Sequence, residues 1–157
     1  MELTMMNNRI VEEKNIFVNM DVDSFEDLIP LISVNLLKSG DVDNNFIEKV
    51  LERERNFPTG LPTEPIAVAI PHAYPENVNN NKVAIATLKK PILMREMGGD
   101  FNDTLNVSLV FLLAFNDANK HLNILQNIVE LIKNQKIVKT IFRGDKKTIL
   151  SKVDEYL

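Results

Sequence analysis

Apolar residues in this chain alternate between short consecutive runs and helical stripes, and the two patterns take turns along the sequence. Ile66-Ala67-Val68-Ala69-Ile70 is a run rich in β-branched types, bounded by the turn residues Phe57-Pro58-Thr59-Gly60-Leu61-Pro62 and by Pro71. It predicts a short buried strand. Ile16 to Met20 predicts an earlier strand. Val83 to Leu88 predicts another, whose alternation with alanine suits close packing under a helix. Pro91 to Met97 reads as a further edge strand, and Val107 to Phe115, nearly all apolar, as a central strand buried on both faces.

Between these runs the apolar period lengthens to that of a helix. Phe25, Leu28, Ile29, Ile32 and Leu36 form a stripe that opens at Asp23 or Ser24 and closes at Gly40. Pro30 lies inside it, which predicts a kink or a later start, because proline removes one backbone hydrogen bond. Asp43 can cap a second helix with Phe46, Ile47, Val50 and Leu51 on one face, a face continued by Arg53 and Glu54 in the last turn. Asn116-Asp117 caps the clearest helix, striped by His121, Ile124, Leu125, Ile128 and Ile132. Residues 136–142 and 145–157 predict two closing helices separated at Gly144. Tyr74 to Lys82, with Asn77 and Asn79-Asn80-Asn81, reads as an exposed loop, and Gly98 to Asp103 as a turn. That turn lacks the spacing and the lysine of a phosphate-binding loop. The expected fold class is α/β: a single compact domain over residues 1–157, with its core in about 16–157 and helices flanking a central mixed sheet.

Composition narrows the functional classes. At 157 residues and 45% hydrophobic content, the chain is long enough for one domain with a real core. A net charge of −4 with no Lys/Arg block argues against nucleic acid as a partner. There is no cysteine, which excludes disulfides and thiolate metal sites. Met1 to Arg9 is polar, without the apolar core of a signal peptide, and no apolar run approaches membrane-spanning length. A cytoplasmic protein without membrane insertion is expected.

Candidate chemistry centres on the two histidines. Pro71 supplies no amide hydrogen, so it is expected to end the strand's ladder and direct His72 out past the sheet rim, where ligands collect in open α/β sheets. Imidazole keeps a neutral, nucleophilic nitrogen near physiological pH, so His72 suits a nucleophile, a general base, a metal ligand or a histidine bonded to a nearby carbonyl. His121, in the first turn of its helix, is equally a functional or a structural residue. Neither histidine has a second histidine at i+2 or i+4, which disfavours a metal site, and no cofactor is implied. Arg53, read alone, is a snorkelling residue at a helix end.

The stretch Glu52-Arg53-Glu54, Phe57-Pro58-Thr59-Gly60 and Ile66 to His72 resembles the phosphorylation-site region of enzyme IIA proteins of the sugar phosphotransferase system, in the fructose/mannitol superfamily. The Phe-Pro-Thr-Gly form looks most like its galactitol-type branch, and the resemblance extends from about Ile16 to the C-terminus. It implies that His72 takes a phosphoryl group from the phosphocarrier HPr and passes it to a cysteine of a cognate IIB component, which serves a IIC permease. His121-Leu122-Asn123-Ile124-Leu125 fits the family's His-Leu-x-x-Leu motif, implying a phosphoryl-stabilising role for His121, and Arg53 matches the arginine of the Arg-Glu word. The chain departs from the mannitol and nitrogen-type pattern in Leu61-Pro62-Thr63-Glu64-Pro65, which lacks their Gly-x-Gly form, and in Ala73 after the histidine.

The implied function is a phosphotransferase with a phosphohistidine intermediate, working in sugar or polyol uptake. A regulatory IIA-like protein, whose His72 phosphorylation controls partner binding, is the second reading. A non-catalytic domain with two structural histidines is the third. A phosphoryl group on His72 brings close to two negative charges, for which the donors on offer are Arg53, His121 and the amides opening the Asp117 helix.

Overall fold

The computed structural model describes residues 9–157. Most of the polar N-terminal stretch, residues 1–8, lies outside the described residues. Strand β1 (Ile16–Met20) precedes helices α1 (Phe25–Ile32), α2 (Val34–Lys38) and α3 (Phe46–Asn56). Strands β2 (Gly60–Leu61), β3 (Ala67–Ala69), β4 (Lys82–Arg95) and β5 (Thr104–Ala114) follow, and helices α4 (Ala118–Lys133), α5 (Gln135–Arg143) and α6 (Lys146–Asp154) complete the chain. The strands form one five-stranded sheet in the order β1-β4-β5-β3-β2. β4 with β5 and β2 with β3 are antiparallel, whereas β1 with β4 and β3 with β5 are parallel. This is the expected mixed sheet flanked by helices, with the predicted central strand at its middle.

Side-chain alternation gives each face of the sheet its own core. Ala69, Ala84, Ala86 and Ala114 point toward α1 and α3, where Leu28, Ile29, Ile32, Phe46 and Val50 are fully buried. Val83, Ile85, Leu109, Phe111 and Leu113 point the other way, against Ile128, Leu131, Val138, Ile141 and Ile149 of α4, α5 and α6. Small residues on one face let the helices there sit close, and the branched residues on the other fill a deeper layer.

The predicted helices form, but Asp43 is not the cap of α3: the N-cap is Asn45, without a side-chain cap bond, and the Asp43 carboxylate instead accepts from the Asn45 amide at 2.9 Å in the turn before it. The Ser24 hydroxyl accepts from the Asp27 amide at 3.1 Å. The helix through Pro30 then breaks at Ser33, which separates α1 from α2. Gly40, at φ +72°, closes α2, and the Asp41 amide beyond it reaches back to the Leu36 carbonyl at 2.9 Å.

Three further expectations are corrected. Residues 91–97 are not a separate edge strand: Pro91 sits at an irregularity within β4, between Thr87 and Ile92, where no ladder donor is required of it. β4 therefore runs for 14 residues inside the sheet. Gly60 and Leu61, read as turn, form an edge strand against Val68 and Ala69. The segment after Tyr74 is only partly an exposed loop, since Asn77 and Val78 are buried and Val78 bridges to Val42.

Candidate functional site

The site begins where β3 runs out. Pro71 does not end the ladder as expected: it cannot donate, but its carbonyl accepts from the Leu113 amide at 2.9 Å, and His72 still bridges to Leu113 in parallel register. His72 is thus held against the central strand rather than released from the sheet. Its Nδ1 lies 3.0 Å from the Ile70 carbonyl, an oxygen that can only accept. In the neutral ring this puts the proton on Nδ1 and leaves Nε2 with a free lone pair. Burial, reinforced by the neighbouring charges of His121 and Arg53, pulls the His72 pKa down to about 4. At neutral pH the ring is uncharged.

His121 arrives from the other side of the sheet's end, on the first turn of α4. That helix starts where it does because the Asp117 carboxylate accepts from the amides of Asn119 at 2.8 Å and Lys120 at 3.3 Å. The His121 ring meets His72 edge-on, with centroids 4.7 Å apart at 77°, and packs 5.8 Å from Phe115. Its pKa is lowered too, by burial first and by Arg53 second. The helix-start amides do not offer themselves as free donors in the way the sequence suggested, because Asp117 occupies two of them and brings its own negative charge.

Arg53 projects from the last turn of α3 into the same cleft, on the packed side as its place in the stripe predicted. Its guanidinium carbon lies 5.3 Å from the Phe57 ring centroid and 5.4 Å from that of Tyr74. None of the ion pairs among the described residues includes Arg53, and its buried Nε has no hydrogen-bond partner. A half-buried cation with no carboxylate beside it favours an anionic guest.

These groups line a cleft of about 250 Å³ whose walls include Arg53, His72, Tyr74, Phe115, His121 and Leu122. Two roomier hollows, of about 380 and 710 Å³, contain neither histidine. Size does not mark the chemistry here. Sequence reasoning noted Phe57 only as part of the Phe-Pro-Thr-Gly word and Tyr74 only as the start of a loop; neither was read as a ring contact of Arg53. It also missed the role of Glu54, whose carboxylate accepts from the Thr59 amide at 2.9 Å and the Thr59 hydroxyl at 2.7 Å. The place of Glu54 on the packed face, beside Arg53, was the available signal. Among the described residues no group of His, Asp and Glu could hold a metal ion, and no helix is long and apolar enough to cross a membrane.

One small cleft of this mixed-sheet α/β domain thus holds two neutral histidines and an arginine that has no ion-pair partner among the described residues. Residues 9–155 match the family described as phosphoenolpyruvate-dependent sugar phosphotransferase system, EIIA 2; the chain belongs to that family, and it is a phosphotransferase. The galactitol-specific EIIA component of the phosphotransferase system of Escherichia coli K12 is 28% identical over 130 residues, covering 81% of this chain and 85% of that protein. Two solved structures share the fold. Nitrogen regulatory protein IIA-Ntr of Neisseria meningitidis superposes with a TM-score of 0.76 at 22% identity, covering 94% of this chain and 98% of that one. The Escherichia coli complex of enzyme IIAMTL with phosphorylated enzyme IIBMTL gives 0.71 at 20% identity, covering 90% of this chain and 95% of the matched one.

Proposed function

We propose that this chain is the IIA component of a sugar or polyol phosphotransferase system of galactitol-like type, acting in the cytoplasm as one domain over residues 1–157. His72 accepts a phosphoryl group from phospho-HPr and passes it to a cysteine of a IIB component coupled to its permease. The observation that carries this reading is the His72 ring itself, with Nδ1–H committed to the Ile70 carbonyl and Nε2 left unprotonated in a cleft that also holds His121 and Arg53.

In the first step the Nε2 lone pair attacks phosphorus, the phosphorus–nitrogen bond to the donor histidine breaks, and that histidine leaves with the electron pair. Nδ1 keeps its proton and its hydrogen bond to the Ile70 carbonyl throughout. Transfer of this kind rests on positioning and charge stabilisation. Arg53 supplies the charge, and His121, when its free N–H faces the phosphoryl oxygens, supplies a donor. In the second step a IIB thiolate attacks phosphorus and Nε2 departs.

Likeness to the nitrogen regulatory protein supports a second reading, in which His72 is phosphorylated but the modification controls binding of a partner. One experiment addresses both. Labelled phosphoenolpyruvate, enzyme I and HPr should place an acid-labile, base-stable label on the wild type and none on His72→Ala. Subsequent addition of a galactitol-type IIB component should discharge the label. Retention of label with IIB present favours the regulatory reading, and uptake by His72→Ala ends the assignment of His72.

A further inference from the structure

We infer that Phe57 and Tyr74 are positioning residues, a pair of aromatic faces that hold Arg53 fixed yet unneutralised in the His72 cleft. The inference deepens the proposed transfer reaction and rests on that reading for its kinetic consequence, while its geometric content stands apart from it.

A long arginine side chain is usually immobilised by a carboxylate, which fixes the guanidinium but also cancels its charge. Aromatic faces fix it without cancelling anything, because the ring quadrupole attracts the cation and carries no net charge. Arg53 takes the second arrangement, 5.3 Å from one centroid and 5.4 Å from the other, with no ion-pair partner among the described residues.

Each ring is held by backbone that belongs to the site. The Phe57 amide donates to the Arg53 carbonyl at 2.6 Å, so the ring is tethered to the very residue it covers. Two residues on, Thr59 is bound through its amide and hydroxyl to Glu54, which fastens the turn after α3 back onto the helix. Phe57 remains 60% exposed, so its contact with the guanidinium leaves much of the ring open to solvent. Tyr74 follows His72 by two residues, so the segment that sets the nucleophile also sets the second face. Arg53 lowers the pKa of both histidines, which places its charge within reach of each.

The test uses the full chain and two readouts. In the unphosphorylated wild type, nuclear magnetic resonance should find the Arg53 δ-methylene and Nε–H signals displaced by ring currents. Phe57→Leu and Tyr74→Leu should each move them toward free-arginine values, and Tyr74→Phe should not. In transfer from phospho-HPr, each leucine variant should lower the rate at saturating donor by about three- to tenfold, with KM changed less and Tyr74→Phe close to wild type. In an Arg53→Gln background the same leucine substitutions should have no further effect. Undisplaced Arg53 signals in the wild type, or leucine effects undiminished in the Arg53→Gln background, overturn the inference, the latter by showing that the rings serve the fold or the donor interface. A wild type that accepts no label defeats the transfer reading alone, and the resonance shifts still decide the clamp.

Discussion

At the scale of single residues, the chemistry turns on protons. With its pKa drawn down to about 4, His72 holds a protonation state that an ordinary imidazole loses near pH 6.5. Its Cε1–H resonance should therefore stay at the neutral position as pH falls from 8 through 5.5 and move only nearer 4; a midpoint above 6 contradicts the buried, carbonyl-bonded ring. The same shift links to stability. Between about 4 and 6.5 the unfolded chain binds the proton and the folded chain does not, so His72 costs stability as pH falls through that window. His72→Gln should unfold in urea with a shallower acid dependence than the wild type. His121 answers to a kinetic test. Loss of one preorganised donor costs roughly 10²–10³ in rate, and a partly wet, shared cleft belongs at or below the low end. His121→Ala should thus still be charged by HPr but discharge to IIB more slowly, with His121→Gln intermediate. Equal discharge rates for folded wild type and His121→Ala would leave the residue a purely structural role.

Elements are joined at the site by polar fastenings, and these were the least visible features of the sequence. Glu54 is the clearest: burial lifts its pKa to about 7 although the Thr59 bonds pull it down. Above an unfolded value near 4.5 the unfolded chain releases the proton while the folded one retains it up to about 7. This contribution to stability is complete below 4.5 and is lost as pH rises toward 7. Glu54→Ala should cost about 1–3 kcal/mol by stranding the Thr59 amide, measured by urea unfolding. Glu54→Gln, which can still accept from the amide and donate to the hydroxyl, should cost less and abolish the 4.5–7 slope. Asp117 joins α4 to the cleft, and Asp117→Asn should keep the cap while removing a negative charge beside the phosphoryl group. A longer phosphohistidine lifetime at unchanged unfolding midpoint is the expected outcome. Caps and stripes were legible because Ser24, Gly40 and Asp117 act on amides and carbonyls within a few residues of themselves. His72 was legible from the word around it, and His121 from the Leu122 and Leu125 spacing. Spacing placed Glu54 on the packed face, but the Glu54–Thr59 fastening was hidden because the stripe does not show that the turn after the helix folds Thr59 back onto it. The aromatic contacts of Arg53 were hidden because Tyr74 reaches it across the fold. Pro91 misled for a related reason: a proline marks a boundary unless the sheet has an irregularity to absorb it, and only pairing with β5 shows that it does.

For the whole molecule, the two cores divided by the sheet set different tolerances. Ala84 and Ala86 are fully buried beneath the α1 and α3 layer, packed in one cluster with Leu28, Ile29 and Phe46. Ala86→Leu should destabilise by about 1–3 kcal/mol through overpacking, whereas Ile128→Ala on the opposite face should cost about 2–5 kcal/mol through the cavity it leaves, both read from urea unfolding midpoints. The outer margin of the sheet has a separate consequence. β2 is two residues long, lies between Pro58 and Pro62, and its Gly60 carbonyl already accepts from the Met97 amide at 2.8 Å. An intruding strand would find no run of unpaired backbone there to copy, since prolines offer no donors and the hairpin between β4 and β5 has folded over what remains. On this side the protein is thereby shielded from the near-irreversible association of one sheet with another.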